Sequence, residues 1–115
     1  MNKLTYFTDE EVKGLDLELC AMLDRARGLA GVPFIITSGL RTQEHNDSIP
    51  GSVKDSSHIT GNGVDLFCND NEKRFAMMRG LIMAGFTRIG VYKNHLHCDN
   101  SLTLPQKVMW YSEGD

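Results

Sequence analysis

The sequence predicts an α+β domain in which helices pack on one side of a mostly antiparallel sheet. Three observations predict it. Two stretches carry apolar residues at three- and four-residue steps, the period of a half-buried helix. Short β-branched and apolar runs lie between and after them, and two of these runs stand close enough to form a hairpin. The order helix, strands, helix, strands lacks the strict alternation of a parallel α/β fold. At 115 residues the chain has room for one hydrophobic core, so residues 1–115 are read as a single domain.

Thr8-Asp9-Glu10-Glu11 has the form of a capping box and is expected to open the first helix. Val12, Leu15, Leu19, Met22, Leu23, Ala26 and Leu29 follow as its apolar face, and Gly28 and Gly31 with Pro33 are expected to end it. Phe34 to Ser38 is short and β-branched and reads as a buried strand, which Gly39 breaks. Arg41 to Asp47 is polar, and Ser48 to Ser57, with Pro50 and Gly51, reads as an exposed loop. Gly63 to Phe67 is the second strand. Asn69 or Asp70 then caps a second helix with Phe75, Met78, Leu81 and Ile82 turned inward, closed by Gly85. Arg88–Tyr92 and His95–Asp99 form the hairpin around Lys93-Asn94, and Lys107–Tyr111 makes a last strand after Pro105. Trp110 and Tyr111 read as packing residues.

Composition excludes several classes. Apolar residues make up 41% and charged residues 23%, an ordinary globular balance that argues against disorder. A net charge of -3 argues against a nucleic-acid module that works by a basic surface. No apolar run is long enough for a membrane span, and Met1 to Glu11 lacks the basic start and apolar stretch of a secretory signal. The expectation is a monomer, cytoplasmic as synthesised, with no nucleic-acid or membrane partner. Cys20, Cys68 and Cys98 are odd in number and contain no CxxC, so they read as small buried thiols.

The chemistry lies with the histidines. His95, His97 and Asp99 alternate along one strand and share a face, while Leu96 and Cys98 point the other way into a core. Such a face could line a cleft, and a solvated sheet surface would read the same way. His58 stands seven positions before Asp65, across Gly61 and Gly63. Asp65 lies within a strand between Val64 and Leu66, where a carboxylate is costly to bury unless it is paired or bound to a cation. One Asp and two His suit a first-row divalent ion, above all zinc, and leave a fourth position open for water. A metal-free polar cluster is the rival reading.

Three separated segments carry a family resemblance. Ser56-Ser57-His58-Ile59-Thr60-Gly61-Asn62-Gly63-Val64-Asp65 resembles the SxHxxGxAxD signature of zinc D-alanyl-D-alanine carboxypeptidases and their relatives in the hedgehog/DD-peptidase superfamily. Ile36-Thr37-Ser38-Gly39-Leu40-Arg41-Thr42 resembles the segment that precedes it there, and Gly85 to Tyr92 with His95-Leu96-His97-Cys98-Asp99 resembles the segment that follows, in the phage and cell-wall branch that ends in HxD. The match runs from about Phe34 to Trp110.

The resemblance implies a compact α+β fold, zinc held by His58, Asp65 and His97, and a peptidoglycan stem peptide as substrate. It implies that Arg41 holds and polarises the substrate and that His95 stabilises the anionic intermediate. Position 63 is Gly where Ala is usual, and position 40 is Leu where an aromatic is common. Many members place Glu or Asp three positions before the last histidine ligand. Here that residue is Asn94, which cannot accept a proton at neutral pH. Asp99 is the remaining acid, either as the base that activates water or as the partner that orients His97. Carboxypeptidase and endopeptidase relatives share these motifs, and a zinc-bearing binding module without turnover is the alternative. Action on the cell wall would follow release at lysis or through a holin.

Overall fold

A computed structural model describes residues 4–38 and 61–113. The polar stretch after Gly39 and the loop expected over 48–57 lie outside the described residues. The elements run α1 (Leu17–Ala30), β1 (Ile36–Ser38), β2 (Gly63–Phe67), α2 (Asn71–Met83), β3 (Arg88–Val91), β4 (His95–Asp99) and β5 (Val108–Tyr111). The five strands form one sheet in the order β1-β2-β4-β3-β5. The pairs β1–β2, β2–β4 and β3–β4 are antiparallel, and β5 joins β3 in parallel. This is the expected α+β class.

Alternation divides the sheet into two faces. Val64 and Leu66 of β2, Ile89 of β3, and Leu96 and Cys98 of β4 are all buried and join the helices in one core. From α1 come Leu19, Leu23 and Ala26, and from α2 come Met77 and Leu81. The opposite face carries Asp65, His95, His97 and Asp99.

The capping box forms but does not open the long helix. Thr8 N–H donates to Glu11 Oε1 at 2.8 Å, and Glu11 N–H donates back to Thr8 Oγ1 at 3.2 Å. Gly14 then adopts φ +82°, which a helix cannot continue through. The helix proper restarts with Asp16 as its N-cap, accepting from Leu19 N–H at 3.0 Å. Gly28 does not end α1. It makes room for the Tyr6 ring, which a Cβ at that position would meet at 2.7 Å. Gly31, at φ +72°, supplies the left-handed stop.

The expected inner face of α2 is also corrected. Leu81 is buried and Met78 packs partly buried against the core, as expected, but Phe75 and Ile82 are exposed at 71% and 52%, and Met77 and Gly80 are buried in their place. Gly80 is the reason: a Cβ there would lie 2.4 Å from the Ala26 carbonyl oxygen, so α1 crosses α2 where α2 has no side chain. Helix α2 ends in a Schellman motif, with Phe86 N–H bonded to Leu81 O and Gly85 N–H to Ile82 O. The run 34–38 is a strand only over Ile36–Ser38. It sits at the sheet edge with Ile35 exposed; Phe34 is buried in the core and Ile36 packs partly buried against it. Tyr111 is exposed rather than packed, since β5 is the other edge. The three cysteines are buried free thiols, as expected. Among the described residues, no helix is long and apolar enough to cross a membrane.

Candidate active site

Register brings the site together. In the β2–β4 pair, Asp65 lies directly opposite His97, Phe67 opposite His95, and Gly63 opposite Asp99. On the far side of β4, Gly90 of β3 lies opposite His97. Ser38, the last residue of β1, pairs with Asp65 across a register shift. The described chain therefore stops at Ser38, beside Asp65, and resumes at Gly61, two residues before β2. That end is anchored. Asp16 N–H donates to Gly61 O, Asn100 N–H donates to Asn62 O, and the Asn62 side chain bonds that of Asn100 at 3.0 Å.

His97 sits between two carboxylates. Its Nδ1 is 3.1 Å from Asp65 Oδ1, and its Nε2 is 2.6 Å from Asp99 Oδ2. His95 Nε2 is 3.8 Å from the same Asp65 oxygen. A solvated polar face is ruled out, because His97 is 9% exposed and Asp99 only 1%. Asp99 is surrounded by donors. Oδ2 takes Arg88 Nε at 3.0 Å besides His97, and Oδ1 takes Ser101 N–H at 3.1 Å with Gln106 Nε2 at 3.5 Å.

Burial opposes the charged form of both His97 and Asp99, yet their partners prevail. Hydrogen bonds and charge from Asp65 and Asp99 hold the His97 imidazole above its usual range. His97, the Ser101 N–H and Arg88 hold the Asp99 carboxyl below its usual range. Burial, followed by the nearby Asp99 and Asp65 charges, pushes the Cys98 thiol well up.

An aromatic layer borders the histidines, and the sequence alone did not place it there. The Trp110 indole crosses Gly90, where a Cβ would lie 2.5 Å from the ring. The indole reaches within 5.7 Å of the His97 ring, centre to centre, and donates from Nε1 to the Tyr92 hydroxyl at 2.9 Å. Tyr92 in turn stacks on His95 at 4.2 Å with 10° between planes. The Arg88 guanidinium lies 4.9 Å from the Trp110 ring centre. A signal for Arg88 was present: applying alternation to β3 puts Arg88 and Gly90 on the histidine face, opposite Ile89 and Val91.

Of the expected site residues, the structure therefore unites Asp65, His95, His97 and Asp99. Arg41 and His58 lie outside the described residues. Among the described residues, no group of three His, Cys, Asp or Glu side chains is placed to hold a metal ion.

The peptidase M15 family model matches residues 1–99. The chain belongs to the peptidase M15 family. Membership makes this M15 chain a peptidase by class and agrees with the superfamily that its motifs resemble. Its fold is similar to the crystal structure of the L-Ala D-Glu endopeptidase ChiX of Serratia marcescens, with a TM-score of 0.61 at 19% identity. That likeness covers 81% of this M15 chain and 85% of the other. No curated protein matches it in sequence.

Proposed function

We propose that residues 1–115 form a zinc-dependent peptidase domain that hydrolyses a peptide bond in peptidoglycan stem peptides. His58, Asp65 and His97 are its metal ligands. The observation that carries this reading is the facing pair Asp65 and His97, with an oxygen and a ring nitrogen 3.1 Å apart. The donor set fits zinc: a carboxylate and an imidazole turn toward one point, and the other nitrogen of that imidazole is held by a carboxylate. Metal-bound histidines almost always have such an outer partner, which fixes the tautomer and raises ligand basicity. When bound, zinc supplies Lewis acidity and lowers the pKa of water to roughly 7.

The chain's own residues then divide the work. Asp65 and His97 hold the ion together with His58. His95, braced by the Tyr92 ring and close to Asp65, donates a hydrogen bond to the developing oxyanion. Arg41 holds the substrate, as the family resemblance implies. Of the two roles open to Asp99, the geometry favours orientation of His97. Its carboxylate is already met by four donors and lies on the ring nitrogen away from Asp65.

The substrate class rests on M15 membership together with the fold likeness to an endopeptidase whose named bond is L-Ala–D-Glu. The test is incubation of the zinc-loaded chain with purified stem peptides, followed by mass spectrometry of the products. The expected result is a single cut, either at L-Ala–D-Glu or with release of the terminal D-alanine. Binding without any product would instead establish a binding module.

A further inference from the structure

Arg88 falls within the segment Gly85 to Tyr92, where the family resemblance gives it no role, yet it makes three separate contacts at the site. Its Nε donates to Asp99 Oδ2 at 3.0 Å, one of its terminal nitrogens donates to Pro105 O at 2.9 Å, and its Cζ lies over the Trp110 ring, 4.9 Å from the ring centre. Its side chain is 18% exposed and that of Asp99 is fully buried. The Asp99 oxygen that takes Arg88 is the one that takes His97 Nε2 at 2.6 Å.

We propose that Arg88 is a positioning residue for the metal ligand His97. Clamped by Pro105 and Trp110, it fixes the Asp99 carboxylate, and Asp99 keeps the His97 proton on Nε2, so that the Nδ1 lone pair points toward Asp65. The inference rests on the zinc reading for its consequence, but its geometry stands on the contacts above. A guanidinium suits this role where an ammonium does not. Its planar fork reaches two acceptors at fixed angles while its face stacks on an aromatic ring. Gly90 completes the device by leaving room for the indole, which a Cβ there would meet at 2.5 Å.

Two measurements test it. The first is the 15N spectrum of the His97 ring in the metal-free protein, taken with the ring neutral. The expected wild-type form carries its proton on Nε2, and Arg88→Ala should give a mixture of tautomers. The second is zinc affinity by competition with a chromophoric chelator. Loss of such an outer partner should weaken binding by roughly 10–100-fold in Arg88→Ala and about tenfold in Arg88→Lys. A purely structural ion pair would lower stability without changing the tautomer.

A wild-type ring protonated on Nδ1 would overturn the proposal. So would a folded Arg88→Ala protein with unchanged tautomer and zinc affinity within about twofold of wild type. Should Arg88→Ala fail to fold, Arg88→Lys decides by the same two readouts. His97→Ala separates the two ideas. If it binds zinc as tightly as wild type, the metal assignment fails, and the ring spectrum still decides the role of Arg88.

Discussion

Replacing Gly90 by alanine should loosen the aromatic layer over the site, and the size of the effect follows from the structure. The added Cβ would sit 2.5 Å from Trp110 Cε2 and Cζ2 and 2.7 Å from Nε1. Carbon contacts are ordinarily about 3.5–4.0 Å, so the indole must move by roughly 1 Å. That displacement breaks the 2.9 Å bond from Trp110 Nε1 to Tyr92, a net loss of about 1 kcal/mol. It also weakens the stacking of Arg88, at about 0.5–1 kcal/mol. Against this, Gly90 does not have positive φ, and alanine in a strand regains roughly 0.5–1 kcal/mol over glycine. The expected net destabilisation is about 0.5–1.5 kcal/mol, at the lower end of the usual cost of overpacking a filled site. Urea unfolding followed by circular dichroism measures it. Trp110 is the chain's only tryptophan, so native-state fluorescence reports its displacement directly. In a Trp110→Leu background the penalty should disappear, because the clash has no partner. Stability within about 0.5 kcal/mol of wild type, a normal margin for a surface change, with unaltered emission would refute the reasoning.

Gly80→Ala should lower stability by about 1–3 kcal/mol despite alanine's better helix propensity, because the new Cβ meets the backbone of α1; tryptophan emission should not change. All three thiols should resist a chromogenic disulfide reagent in the native state and react in denaturant, since Cys20, Cys68 and Cys98 are at most 5% exposed; rapid labelling of the folded chain would contradict the burial. The chelator-stripped chain should be most stable between about pH 4 and pH 6.5. His97 has a raised folded pKa, so its contribution is complete below its unfolded value of 6.5 and fades as pH rises through the folded one. Asp99 has a lowered folded pKa, so its contribution is complete above 3.8 and is lost as pH falls through the folded value. Thermal melts across pH check this, and His97→Gln should remove the alkaline limb.

The parts of the fold that were legible in the sequence are those governed by period. Alternation in 95–99 put the histidines and Asp99 on one face and Leu96 and Cys98 in the core, and the structure agrees. The flanks of Asp65 gave the same answer, with Val64 and Leu66 fully buried. Glycine was the recurrent source of error. Gly14 interrupts an apolar pattern that otherwise reads as one helix, and Gly80 creates a buried helix face that apolar spacing cannot reveal. The site was legible as a set of ionisable residues but not as a network. Arg88 reaches Asp99 only because β3 lies beside β4, and Trp110 reaches the histidines only because β5 pairs in parallel with β3. Strand order of that kind depends on tertiary pairing and leaves no local trace.

The central claim is that Asp65 and His97, with His58, hold one zinc ion. Metal analysis of the purified chain tests it most directly, with the His97→Ala chain measured beside it. One zinc per wild-type chain and none in the variant is the predicted result. A wild-type chain that binds no zinc, or a His97→Ala chain that keeps a full equivalent, would contradict it.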